Sequence, residues 1–218
     1  MRLYLKTTPN KKIIPYAYQQ HVVGAFHKWL GKNDVHDHLS LYSLSWLSGG
    51  KGQKEGLNFP NGSTFFISSP DTDLIKRVIA GIKSDPVIDF GLKVKELMIK
   101  QCPTFRETES FFLNSPVLIK RTYEGKVKYF FPPNELCDVL VTETLKHKLK
   151  KAGKGTLSIQ AHFDKSYTQA KTTLVDYKGI KNKATFCPVA LEGDPEAIAF
   201  AWEVGIGNST GIGFGAIK

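Results

Sequence analysis

Gly205-Ile206-Gly207-Asn208-Ser209-Thr210-Gly211-Ile212-Gly213-Phe214-Gly215-Ala216-Ile217-Lys218 is the stretch on which the reading of this chain turns. Five glycines fall within eleven residues, and an apolar residue follows four of them. Glycine costs backbone entropy, so such an array marks positive φ or a close approach of backbone to another backbone or a ligand. It also exposes several amide donors in a small space, a cradle that suits phosphate. The alternation of Ile212, Phe214 and Ile217 predicts a buried final strand instead of a disordered tail. Just upstream, Asp194-Pro195-Glu196 reads as an N-cap followed by proline at the first helical position. The helix it starts is expected to run to about Val204 and open into the glycines.

Working outward, the same alternation of elements fills the chain. Met1–Lys6 reads as a strand. Pro15 to Leu30 reads as a helix, with Ala17, Val22, Val23, Phe26 and Leu30 on one side and Gly31 closing it. Leu39 to Leu47 alternates as a half-buried strand should. After a turn-rich connection over 49–61 comes a strand at Ser63–Ser68. Asp71 then caps a helix carrying Leu74, Val78, Ile79 and Ile82, and a strand follows at Leu92–Lys100. Beyond it the order repeats. Val117–Arg121 and Val127–Phe131 flank a Glu124-Gly125 turn. Asn134 to Lys151 is a helix with Leu136, Leu140, Leu145 and Leu149 inward. Strands are expected at Thr156–Phe163, Lys171–Tyr177 and Ala184–Leu191. The expected fold is α+β: two tandem ferredoxin-like (RRM-like, βαββαβ) domains, residues 1–110 and 111–218.

The chain has 218 residues, 41% hydrophobic, enough for a sizeable core. No apolar run approaches the ~18–20 residues that span a bilayer, and the start resembles a strand, not a signal peptide. The three cysteines, Cys102, Cys137 and Cys187, are scattered. That points to a reducing cytoplasm and away from a disulfide framework. Net charge is +10, and Lys146 to Lys183 holds ten lysines against Asp164 and Asp176. This is an electrostatic footprint for a polyanion. Lysine outnumbers arginine 26 to 4, which suits backbone phosphates better than bidentate base reading.

Four of six histidines lie between residues 21 and 38: His21, His27, His36 and His38. A short loop could gather His27, His36 and His38 around one site. Two imidazoles suit RNA self-cleavage, one taking the proton of a ribose 2′-hydroxyl and the other protonating the departing 5′-oxygen. The His36-Asp37-His38 spacing matches no zinc pattern, so no metal is expected. His147 and His162 read as structural or RNA-adjacent. No Gly-x-Ser-x-Gly elbow and no Walker loop is present. The Gly-x-Gly follows a helix and precedes a strand, the reverse of a dinucleotide fingerprint.

Gly205-x-Gly207-x5-Gly213-Phe214-Gly215, preceded by Trp202-Glu203-Val204, resembles the glycine-rich signature of the RAMP superfamily of CRISPR-associated proteins. Pro15-Tyr16, Val23-Gly24-Ala25-Phe26-His27, Val35-His36-Asp37, Leu41-Tyr42-Ser43-Leu44 and Asn114-Ser115-Pro116 narrow the likeness to the endoribonuclease that processes CRISPR repeat RNA. The resemblance implies cofactor-free, metal-independent cleavage of precursor RNA within its repeats into guide RNAs. The products would carry a 2′,3′-cyclic phosphate and a 5′-hydroxyl. It places the general base at His36, with His27 or His38 as second residue. Here no lysine occurs between Lys32 and Lys51, where many members have one just after the loop histidine. The glycine segment likewise lacks the basic residue often found inside it.

The residues expected to hold RNA are Gly205, Gly207, Asn208, Ser209, Thr210, Gly213 and Gly215, with Lys165, Lys171, Lys178, Lys181 and Lys183 from the basic stretch. The expected partners are CRISPR repeat RNA and subunits of an effector complex, with no membrane. The protein would be a cytoplasmic monomer or homodimer. The competing readings are a non-catalytic guide-RNA-binding RAMP subunit and a small-molecule phosphate enzyme.

Overall fold

The computed structural model describes residues 1–32, 39–132 and 134–218. The fold is α+β. In the first half β1 (Arg2–Thr7) leads through α1 (Gln19–Leu30) to β2 (Ser43–Leu44). A small hairpin, β3 (Lys51–Gln53) and β4 (Gly56–Asn58), precedes β5 (Thr64–Ser68), α2 (Thr72–Ser84) and β6 (Val94–Lys100). The four longer-range strands form an antiparallel sheet in the order β2-β5-β1-β6. Leu3 and Leu5 on one face of β1 meet Phe65 and Ile67 of β5. Both helices cover this face, with Phe26, Trp29, Val78 and Ile82 buried. Gly81 lets them touch: a Cβ there would lie 2.1 Å from the Trp29 carbonyl oxygen. Asp71 caps α2 as expected, its carboxylate accepting from the Asp73 and Leu74 amides.

The second half contains β7 (Thr108–Phe111), the hairpin β8 (Lys120–Tyr123) and β9 (Lys126–Tyr129), and α3 (Leu136–Lys151). Then come β10 (Ile159–Phe163), the hairpin β11 (Lys171–Tyr177) and β12 (Ile180–Phe186), β13 (Val189–Gly193) and α4 (Pro195–Val204). Here the sheet order is β10-β13-β7. Its inward residues, including Ile159, Ala161 and Leu191, pack with Val141, Leu145, Ile198 and Ala201 of α3 and α4.

Several expected elements are shorter or shifted. The helix expected from Pro15 begins at Gln19. The strand expected over 39–47 pairs regularly only at Ser43–Leu44, because the Ser45 hydroxyl takes the Phe66 amide proton at 2.7 Å and replaces a ladder bond. Val117 and Leu118 are buried in single bridges, and the regular hairpin lies further along at β8 and β9. Leu136, read as inward, opens α3 and is 50% exposed. The strand expected over 184–191 is split into β12 and β13 at Pro188, which has no amide proton to donate. Asp194 precedes α4, but its carboxylate accepts from the Ser158 amide instead of capping the helix.

The largest departure is the glycine segment. It does not close as a strand. Gly213 (φ +91°) and Gly215 (φ +62°) interrupt any pleat, and a 3-10 turn occupies Thr210–Ile212. The segment satisfies its backbone one residue at a time: Ile206 N donates to Gly215 O, Gly215 N to Pro116 O, and Asn114 N to Ala216 O. Ile217 bridges Leu113 just past β7.

The two halves are clasped by the same segment and by Arg2. The Arg2 guanidinium lies between the rings of Phe66 (3.9 Å to centroid) and Trp202 (3.5 Å). It donates to the carbonyls of Trp202 and Ile217 at 2.7 and 2.9 Å. Burial lowers its pKa to about 10. Across the same seam the Ser43 hydroxyl donates to Glu203 O, Thr210 Oγ1 to Tyr42 O, and Trp46 Nε1 to Gly213 O.

Candidate active site

A cleft of about 590 Å³ opens where α3, β8 and the glycine segment converge. Its described lining includes Leu39, Lys120, Arg121, Glu143, Thr144, His147 and Asn208. Helical spacing puts Glu143, Thr144 and His147 on one face of α3. The opposite wall is β8, and the floor is Asn208. Leu39, which follows His38 in the sequence, reaches the rim.

Arg121 is fixed from several sides. Nη2 donates to Leu140 O at 2.8 Å, and to Glu143 and Thr144 Oγ1 at 3.3 Å each. Nη1 donates to Lys120 O and, at 3.5 Å, to Asn208 Oδ1. The same Asn208 oxygen accepts from the Lys120 amide at 2.9 Å, while the Asn208 backbone N–H donates to Leu118 O. One carboxamide therefore ties the glycine segment to the strand that carries both cations. The acceptors around Arg121 occupy the Nη hydrogens, so the guanidinium offers the cleft a fixed positive charge and not a free donor fork.

Two basic hairpins extend the surface. β8–β9 carries Lys120, Arg121, Lys126 and Lys128 against Glu124, and β11–β12 carries Lys171, Lys178, Lys181 and Lys183 against Asp176. They lie side by side: Tyr129 donates its hydroxyl proton to Lys181 O, and the Lys183 ammonium sits 4.6 Å from the Phe131 ring centroid. Lys171, Lys178, Lys181 and Lys183 are all exposed. Lys165 lies beyond β10, paired with Asp138 at 3.2 Å.

The predicted site residues separate into three groups. His36 and His38 lie outside the described residues. His27 sits half-buried in the last turn of α1, its ring against Phe26, and is not among the described residues lining the cleft. Of the glycine segment, Gly205, Gly207, Thr210, Gly213 and Gly215 are buried, and Asn208 and Ser209 are half-buried. His21 is engaged elsewhere, with Nδ1 2.6 Å from Asp89. His162 lies on the open face of β10, 3.7 Å from Glu192. Sequence reading did not single out Arg121, and it read His147 as structural or RNA-adjacent. The available signals were an arginine in a chain that has only four, and the 143-144-147 face of the α3 helix. Among the described residues, no group of three or more His, Cys, Asp or Glu could hold a metal ion, and no helix could cross a membrane.

A family model described as "CRISPR associated protein Cas6, C-terminal" matches residues 99–218, more than half of the chain. The chain belongs to the Cas6 family. It is 24% identical to the CRISPR-associated endoribonuclease Cas6 1 of Methanocaldococcus jannaschii, over 100% of this chain and 92% of that protein. Its fold matches a Cas6-related protein from Pyrococcus furiosus with a TM-score of 0.85 at 18% identity, covering 100% and 97% of the two chains. It also matches a RAMP protein described as binding different RNA substrates, with a TM-score of 0.83 at 17% identity and coverage of 100% and 98%. Membership in Cas6 makes this a CRISPR-associated, RAMP-type protein of RNA processing. The matched span takes in every described element of the cleft except Leu39.

Proposed function

We propose that this protein is a metal-independent endoribonuclease that cuts CRISPR precursor RNA within its repeats to release guide RNAs. The observation that carries the reading is the cleft itself. It gathers Lys120, Arg121, His147 and Asn208 beside the residue that follows His38, with the basic β8–β9 hairpin as one wall. We read the halves as tandem ferredoxin-like domains, residues 1–110 and 111–218, with β7 (Thr108–Phe111) crossing that boundary into the second sheet. The order β2-β5-β1-β6 is echoed by β10-β13-β7 with Ile217 bridged beside β7.

In this reaction His36 takes the proton from the 2′-hydroxyl 5′ of the scissile phosphate. The freed oxygen attacks the adjacent phosphorus, and the 5′-oxygen leaves with a proton. The products are a 2′,3′-cyclic phosphate and a 5′-hydroxyl. A second histidine, His38 or His27, donates that proton. The lysine absent between residues 32 and 51 is replaced by Arg121 and Lys120, whose charges face the phosphorane oxygens. The glycine segment supplies Asn208 and Ser209 at the surface, and its buried glycines let it pass between the halves. Lys165, Lys171, Lys178, Lys181 and Lys183 extend the phosphate track along the RNA. The expected partners are the repeat RNA and effector subunits in the cytoplasm, with the protein acting as a monomer or homodimer.

The test is cleavage of the cognate repeat RNA in EDTA, with analysis of product ends. The proposal expects one cut and cyclic-phosphate ends. His36→Ala should lose cleavage while still binding RNA. Stable binding by the wild-type protein without a cut would instead assign a non-catalytic guide-RNA subunit.

A further inference from the structure

Behind the cleft lies a buried cation. Lys148 follows His147 on α3, but it points inward and is 1% exposed. Its ammonium has no carboxylate partner within ion-pair reach among the described residues. It donates instead to Val204 O and Gly205 O, both at 3.2 Å, and to Thr210 Oγ1 at 3.0 Å. The first two acceptors are carbonyls at the end of α4, where the helix leaves oxygens unpaired and the dipole favours a cation. The third opens the 3-10 turn, and its hydroxyl proton goes on to Tyr42 O in the other half. One ammonium therefore grips segment 205–210 at both ends. Midway between them, Asn208 projects into the cleft and holds Lys120 and Arg121.

We propose that Lys148 is a positioning residue for this cleft. By fixing both ends of segment 205–210, it sets where Asn208 stands and so where Arg121 meets the phosphate. This rests on the cleft being the place of RNA cleavage, as argued above. A buried ammonium requires a strong reason to persist, because an apolar residue of similar length would avoid the desolvation cost. Two of its acceptors, Gly205 O and Thr210 Oγ1, belong to the segment whose geometry the cleft depends on, and the third, Val204 O, directly precedes it. Burial draws Lys148 down to about 7, against those acceptors, which favour the charged form. His147, one residue away, faces the cleft, so α3 supports the site on both of its sides.

Two variants test this: Lys148→Met, which keeps length and removes the donor, and Thr210→Val, which keeps volume and removes the shared acceptor. Each is measured in three ways. Single-turnover cleavage of repeat RNA at saturating protein should fall at least tenfold, while the RNA Kd stays within threefold. Combining the two should cost less than the sum of the two single effects, since both break the Lys148–Thr210 contact, while Lys148→Met alone loses the two carbonyls and Thr210→Val alone loses Tyr42 O. Amide hydrogen exchange should quicken at least tenfold at Asn208 and Lys120, with β10 and β13 unchanged. If wild type cleaves and both variants cleave at its rate, the positioning role is overturned while the nuclease reading stands. If wild type does not cleave, exchange at Asn208 and Lys120 decides: unchanged protection in the variants overturns the role. If Lys148→Met does not fold, Thr210→Val gives the same readouts alone.

Discussion

Gly215→Ala should be among the most damaging single methyl additions in this protein, and the structure allows its cost to be worked out. Gly215 has φ +62°, and a Cβ built there would lie 1.8 Å from the Ile206 carbonyl oxygen, where real contacts stay beyond 3.0 Å. The left-handed conformation alone costs alanine about 1–2 kcal/mol. Relieving the clash requires the backbone to retreat by more than an ångström. That movement breaks the bonds from Ile206 N to Gly215 O and from Gly215 N to Pro116 O, both 2.9 Å long. Each is worth about 0.5–1.5 kcal/mol net, more if a buried partner is stranded. The expected loss is roughly 2–5 kcal/mol. Gly179, at the tip of the β11–β12 hairpin, is the internal control. Its φ is +80°, but an added Cβ meets nothing within 4 Å, so Gly179→Ala should lose only about 1–2 kcal/mol. Urea unfolding followed by circular dichroism measures both. Equal losses would refute the view that the glycine segment is a packed wedge between the halves.

Other expectations follow from the same geometry. Arg2→Lys should destabilise by about 2 kcal/mol in the same assay, because an ammonium cannot stack flat between Phe66 and Trp202 while donating to two carbonyls. Lys148 gives a signature in pH. Its folded value of about 7 lies below the ordinary 10.5, so between those limits the unfolded chain holds a proton that the folded chain has released. Stability then rises with pH across that window by up to about 1.4 kcal/mol per pH unit, and it is flat below it. Lys148→Met should lack this slope, and identical slopes at pH 7 to 9 would contradict the assignment. Lys181→Ala and Lys183→Ala should each weaken RNA binding and reduce the salt slope of log Kd by about 0.7–0.9. An unaltered slope would remove the β11–β12 hairpin from the RNA track.

How much of this was legible in the sequence depended on whether the signal was local. Asp71 and its helix were readable because capping and amphipathic spacing act over a few residues. The Glu124-Gly125 turn was readable for the same reason, both residues having positive φ. The order of strands and helices was also visible, since periodicity reports burial. The glycine segment was recognised but misjudged. Alternation predicted a strand, while Gly213 and Gly215 bend the chain so that each peptide bonds to a different partner. Those partners, Pro116, Leu118 and Asn114, lie far back in the chain, before α3, and no local pattern encodes them. Arg121 and Lys148 were hidden for the same reason. In sequence they are two cations in a basic chain. Only the packing of α3 against the glycine segment gives one of them a fixed orientation and buries the other.

The central claim is that the cleft bounded by α3, β8 and Asn208 receives the scissile phosphate. The most direct measurement is photo-crosslinking of repeat RNA carrying 4-thiouridine on either side of the cut, with the attached peptides identified by mass spectrometry. The account predicts crosslinks to residues 120–128 and 143–147, and to the segment that contains His36 and His38. Crosslinks confined to the open face of the second sheet, at Gln160, His162 and Glu192, would contradict it.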